Sequence, residues 1–203
     1  MPSTDRFMAR LVRPAILVLL PVLALSGCAP MVSSKEELQS VAPNEGVVAG
    51  SFVINVEKGP ENESGWAFLQ GRKAGESEYG VSVNERPSGA IDPAVIFKTT
   101  YRFEVKPERE FTFLKKLPAG MYHVSRVEQL GFSNLYVSLS KTFTVTAGQT
   151  TYIGRLTMVL PDRIRAYSSV KTKVTDMQDE TVGALQKEYG HALLSNVAKD
   201  LMK

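Results

Sequence analysis

Cysteine occurs once in this 203-residue chain, histidine twice and tryptophan once. A single cysteine cannot close an internal disulfide, so no disulfide framework holds the fold. Paired cysteine spacings, an H-E-x-x-H run and a three-ligand cluster are all missing, which leaves zinc without support. There is no G-x-S-x-G elbow for a serine nucleophile and no glycine-rich loop opening a helix for phosphate. Blocks of Lys and Arg with interleaved aromatics are also missing, which argues against nucleic acid as a partner. The sequence therefore assigns no catalytic residue, metal or cofactor. The longest apolar run, Pro14 to Leu25, falls short of the ~20 residues that a membrane-spanning helix needs.

That apolar run has a different use. Arg6, Arg10 and Arg13 precede it, with Asp5 alone opposing them, and small residues follow it. Basic start, short apolar middle and small-residue end make a secretory signal, to be set aside before the fold is read. The small residues run into Leu25-Ser26-Gly27-Cys28, which resembles the lipobox of bacterial lipoproteins. The resemblance implies a diacylglyceryl group on the Cys28 sulfur, cleavage before Cys28 and acylation of the new amino group, by palmitate or a similar chain. The thiol is the nucleophile that accepts lipid, and small side chains at Ser26 and Gly27 admit the peptidase. Each buried methylene contributes ~0.8 kcal/mol, so two or more chains anchor stably. Ala29 follows the cysteine. Aspartate there commonly retains such lipoproteins in the inner membrane, so the resemblance implies an outer-membrane lipoprotein facing the periplasm.

Without residues 1–27, which hold three arginines and one aspartate, the chain carries 21 basic and 20 acidic residues. The formal charge of +3 therefore comes mostly from the signal, and no membrane-binding basic patch follows from it. The remaining length suits one domain with a proper core.

Residues 28–46 are polar, contain two prolines and keep no sustained period. They read as a lipidated N-terminus and flexible tether reaching roughly 60 Å at most, with a helical turn possible near Lys35 to Gln39. From Val47 the period becomes two. Val48, Phe52, Ile54 and Val56 alternate with Ser51, Val53 and Asn55; Tyr101, Phe103 and Val105 alternate with Arg102, Glu104 and Lys106. Ile164, Ala166, Val170 and Val174 share a parity opposite to Arg165, Lys171 and Lys173. Shorter runs at 66–69, 79–83, 95–98, 111–114, 121–127, 135–139, 142–146 and 151–160 are separated by turn residues. Residues 47–175 thus predict a mainly β domain, an antiparallel β-sandwich. At Asp176 the pattern turns helical, with Asp179 and Glu180 in the first turn and Gly190 as a C-cap. Leu194, Val197 and Leu201 continue one stripe, so residues 176–203 predict a broken helix or helix pair packed on the sandwich.

Leu117-Pro118-Ala119-Gly120-Met121-Tyr122-His123-Val124 resembles the "L-P-x-G-x-Y-x-V" hairpin of transthyretin-like and carboxypeptidase-regulatory-like sandwiches. Phe143 to Gly154 resembles the "F-x-V-x-A-G-x-T-x-Y-x-G" run of small envelope lipoproteins of this type. The resemblance informs the fold and leaves the chemistry open.

Few side chains remain as candidates. His123 lies in a predicted strand, where it is either a general base or a satisfied strand histidine; His191 follows a helix-ending glycine. Glu108 and Glu110 alternate on a predicted strand edge, as an acid–base pair or a solvated face. Trp66, beside Phe68, is a ligand contact that stacks on sugars if exposed and a core anchor if buried. The sequence as a whole predicts a non-catalytic, membrane-anchored envelope lipoprotein that binds or positions another envelope protein. The alternative is a glycan-binding or glycan-processing accessory lipoprotein, in which Trp66 meets the sugar.

Overall fold

A computed structural model of the chain describes residues 32–57, 78–86, 99–130, 136–161, 164 and 168–203. Among them, nine strands form two sheets. The first has the order β4 (Glu110–Pro118), β1 (Glu45–Glu57), β7 (Thr150–Pro161), β8 (Lys171–Thr175), with β9 (Val197–Lys199) also on β7. The second has the order β3 (Thr100–Val105), β2 (Tyr79–Glu85), β5 (Gly120–Gln129), β6 (Tyr136–Val145). The second sheet is antiparallel throughout. The first is mixed, because β1 and β9 both run parallel to β7. With a C-terminal helix on the outside, the protein is a mainly β sandwich of the class its alternation predicts.

The two-residue period decides where the cores lie. Val48, Phe52 and Ile54 of β1 point between the sheets and join Phe103, Phe113, Leu156 and Met158 in the main core. Phe52, Phe103 and Phe113 meet there with ring centroids 4.7–5.4 Å apart, joining β1, β3 and β4 across the sandwich. Val47 and Ala49 take the other parity. They meet Leu38, Leu114, Tyr152, Leu185 and Leu194 in a second core on the outer face of the first sheet. Two helices cover that face: α1 (Lys35–Gln39) and α2 (Gln178–Tyr189). Arg155 of β7 reinforces this layer with a two-pronged pair to Glu110 of β4 (2.7 and 2.9 Å) and a contact to Glu180 of α2 at 3.4 Å.

Chain crossings between the sheets use the expected turn residues in unexpected ways. Leu117 to Gly120 is not a hairpin: β4 and β5 lie in different sheets, so the turn is a corner. Tyr122 fixes that corner by donating its hydroxyl to the Pro118 carbonyl (2.9 Å). The turn after β6 places Gly148 at φ +69°, and its amide donates to Glu45 O at 2.7 Å. The 142–146 run continues the strand of 136–139 and does not start a new one. Of the described residues in the 164–174 alternation, those from Lys171 onward are strand.

Two segments depart from the sequence reading. Of the tether predicted over residues 28–46, those from Val32 onward are docked. Ser33 lies along the outer edge of β4, its amide donating to Leu114 O (3.1 Å) and its hydroxyl accepting from the Lys116 amide (3.0 Å). Ser34 and Glu37 form a reciprocal capping box on α1, and Leu38 is 1 % exposed. One buried leucine and a paired edge outweigh a polar composition that shows no period. The second departure is the tail. Residues 178–189 are helical as predicted, but Ala192–Leu194 is a 3-10 turn and Val197–Lys199 is strand β9. The free edge of β7 explains this, since the tail satisfies its carbonyls: Asp200 N donates to Tyr152 O (3.0 Å) and Met202 N to Ile153 O (2.9 Å). Lys203 then exchanges two 3.0 Å backbone bonds with Thr142 of β6, tying the sheets together.

Two glycines test this packing in opposite directions. A Cβ at Gly46 would stand 2.2 Å from Thr146 O, whereas one at Gly183 in α2 would meet nothing within 4 Å. Gly46→Ala should lower unfolding free energy by about 1–3 kcal/mol. Gly183→Ala should raise it by roughly 0.5–1 kcal/mol. Urea titrations of both variants against wild type check the signs.

Candidate functional site

The outer face of the second sheet carries no helix in the described structure, and it gathers the polar side chains of three strands. Its layout follows from two irregularities. The pairing of β2 with β5 shifts register between Ser82 and Val83, and that of β5 with β6 shifts between Val124 and Arg126. Against β2 the extra residue is Ser125, which lets Val124 and Val127 both stay in the main core; against β6 the extra residue lies on β6 itself. Ser125 itself is free to bond sideways: its hydroxyl donates to Asn84 Oδ1 at 2.5 Å, with the Ser82 carbonyl 3.2 Å away. Asn84 Nδ2 donates onward to Thr100 Oγ1 (2.7 Å), so β5, β2 and β3 share one chain of hydrogen bonds.

Charged groups frame this network. Arg102 of β3 pairs with Glu128 of β5 at 3.0 Å. Its guanidinium crosses β2 over Gly80, where a Cβ would stand 2.6 Å from Arg102 Nε. Arg126 lies over the Tyr136 ring, 5.4 Å from its centroid. Tyr136 and Met121 are 49 % and 47 % exposed, the two most exposed large apolar side chains among the described residues. Exposed Tyr, Met and Arg beside a pre-ordered polar network are the ingredients of a recognition surface.

His123 sits in this face, paired across to Asn84 and Thr142. Its Nδ1 is buried without a hydrogen-bond partner. Burial lowers its pKa below the ordinary value, and the Arg86 charge adds to the effect. Ser125 bonds to Asn84 and not to His123, so the two do not form a nucleophile–base pair. Glu108 and Glu110 do not act together either. Glu108 adopts φ +59° and accepts from the Val56 amide (3.0 Å), closing the end of β1, while Glu110 holds Arg155. His191 begins the 3-10 turn and is exposed.

A second charged cluster lies on the flank where β4 faces β3. Lys115 shares the inward parity of Phe113 and Leu117 and is 5 % exposed, with its ammonium 5.7 Å from the Tyr101 ring centroid. Burial lowers the Lys115 pKa, and Glu37 partly offsets the shift. Burial likewise raises the Tyr101 and Tyr122 hydroxyls above their usual range, with Glu85 contributing to both. An inward-pointing lysine on an edge strand also discourages edge-to-edge pairing.

A pocket of about 90 Å³ lies between the tail and β6, lined by Met121, Thr142, Phe143, Thr144, Asp200, Leu201 and Lys203. It is well below the ~300 Å³ of a typical small-molecule site. Among the described residues, no three His, Cys, Asp or Glu side chains converge as metal ligands, and no helix is long and apolar enough to cross a membrane. Cys28 and Trp66 lie outside the described residues. The Asn84–Ser125–Arg126–Tyr136 surface was not singled out in the sequence. Its one signal is the polar parity of β2 and β5, which reads equally as a solvated face. No protein-family model matches the chain, and neither a curated protein nor a solved structure does.

The depressed His123 pKa has a definite consequence for stability. The unfolded chain binds a proton there at a pH where the folded one does not, so folding is disfavoured as pH falls through 6.5. Stability should be greatest above that value and decline below it. His123→Gln should flatten this part of the pH profile in denaturant titrations, and NMR should show His123 titrating below 6.5 in the wild type.

Proposed function

We propose that this protein is an envelope lipoprotein, held in the outer membrane by lipid on Cys28, whose sandwich binds or positions another envelope protein without catalysing a reaction. The observation that carries the reading is Leu25-Ser26-Gly27-Cys28 directly behind a basic region and a short apolar run. A lone cysteine at that position is explained by lipidation.

The sandwich supports the binding half of the proposal. Its outer face offers Arg126, Tyr136, Met121 and the Asn84–Ser125 network, a surface suited to protein contact. Side chains there are held by hydrogen bonds and by a cation–ring contact, so little conformational freedom is lost when a partner docks. Their chemistry of hydrogen-bond donors, an aromatic ring and a thioether fits a partner with mixed polar and apolar surface.

Two measurements check the two halves. Mass spectrometry of the N-terminal peptide should show Cys28 carrying diacylglycerol and an acylated amino group, and Cys28→Ser should move the protein from the membrane to the soluble fraction. A Cys28 peptide without lipid overturns the anchor. Crosslinking in intact envelopes should capture one protein with the wild type, and the double variant Arg126→Ala, Tyr136→Ala should reduce capture by about tenfold or more. Unchanged capture would remove the outer face of the second sheet as the binding surface.

A further inference from the structure

Few contacts attach the N-terminal segment to the sandwich. Of residues 32–40, only Ser33 and Leu38 are buried. Ser33 bonds to Leu114 and Lys116 of β4, Val32 packs against the main core, and Leu38 enters the second core with Leu114 and Leu185. Ser34, Lys35, Glu36, Gln39 and Ser40 face solvent. Helix α1 is a single turn of five residues, too short to persist without the sheet beneath it.

The chain is held differently just beyond this segment. The Glu45 amide donates to Ala42 O and the Glu45 carboxylate accepts from the Ala42 amide, both at 2.9 Å. Ala119 N donates to Asn44 O at 2.8 Å. Val41, at the junction, is exposed. Lys116 stands beside it, its ammonium shared between Ser40 O (3.1 Å) and the Glu45 carboxylate (3.2 Å). Loss of the Ser40 contact leaves that ammonium paired with Glu45, so no charge is stranded when the segment departs.

Ordering a segment costs conformational freedom at every residue, and buried contacts must offset it. Nine residues are ordered here for two that are buried. Regions with so few buried contacts open at free energies well below that of global unfolding. The C-terminal tail is different, since it is paired along β7 and fixed to β6 at Lys203.

We propose that residues 32–40 are a releasable strap, which lifts from β4 and α2 as a unit up to the turn at Ala42 while the sandwich stays folded. With lipid on Cys28, the strap sets the reach of the domain. Docked, the chain makes five peptide steps from Cys28 to Ser33, roughly 18 Å at most. Released, it makes thirteen steps to Val41, roughly 45 Å. Release thus more than doubles the distance over which the domain meets a partner. The strap stands without lipidation; the change of reach rests on the Cys28 anchor proposed above.

Hydrogen exchange on the full lipidated protein in phospholipid nanodiscs tests the strap. Three amides report on it: Ser33 on Leu114 O, Leu38 on Ser34 O, and Lys116 on the Ser33 hydroxyl. All three should be at least about a hundredfold less protected than the amides of β1 between β4 and β7. Lys116 belongs to β4, so its exchange separates release of the strap from fraying of the N-terminal chain alone. Leu38→Ser should lower all three protections by about tenfold or more and leave β1 unchanged. Protection equal to that of β1 in the wild type would overturn the strap, and that measurement needs no variant. Reach is read by energy transfer to acceptor headgroups from a fluorophore on Lys171→Cys, whose side chain is 82 % exposed on β8 and whose thiol is the one left free by lipid on Cys28. Transfer should fall by about a third or more in Leu38→Ser. Unchanged transfer, with lipid on Cys28 verified by mass and exchange accelerated in the same sample, would overturn the change of reach. A Cys28 mass without lipid would overturn the anchor and the change of reach together, while exchange alone decides the strap.

Discussion

Strand β1 has almost no solvent face, and the rest of the structure is arranged around that constraint. Seven consecutive residues from Gly46 to Phe52 are buried. One parity enters the main core and the other the second core. Both long edges are paired, with β4 on one side and β7 on the other. A strand with two apolar faces must be covered on both, and a single pair of sheets covers only one. The second sheet supplies one cover. The other has to come from the ends of the chain, because the strands of the sandwich are already committed.

This accounts for both terminal segments. Leu38 of α1 and Leu185 of α2 are drawn onto the outer face of the first sheet by Val47, Ala49, Leu114 and Tyr152. Once α2 is in place, Leu194 and Leu201 complete the same cluster while Met202 turns inward to the main core. That alternation of neighbours between two cores is a strand's behaviour, and β7 offers the free edge to pair with. Gly154, at φ +98°, sits where β9 gives way to β8 along that edge. A side chain there would strike Val174 and Leu201, so the kink and the close packing use the same glycine.

The opposite face of the molecule follows a different rule. The second sheet keeps one wet surface, and its polar groups are organised by each other more than by the core. Placing Ser125 outside the alternation gives Asn84 a donor and leaves Arg126 free to lie over Tyr136.

Alternation of period two was legible in the sequence and determined the mainly β class and the parity of β1 and β3. The helix of residues 178–189 was legible too, through its acidic first turn and its closing glycine. These are local properties, fixed by side-chain spacing along the chain. What tertiary structure alone decided was pairing and docking. The parallel match of β1 with β7, the corner at Leu117–Gly120, the strand at Val197–Lys199 and the docking of Ser33 and Leu38 all depend on partners far away in sequence. A polar segment with one leucine carries no periodic signal, and an edge strand's demand for hydrogen bonds is written in the neighbour, not in the segment that answers it. The bulge at Ser125 is of the same kind, because it appears only when β5 is laid against β2.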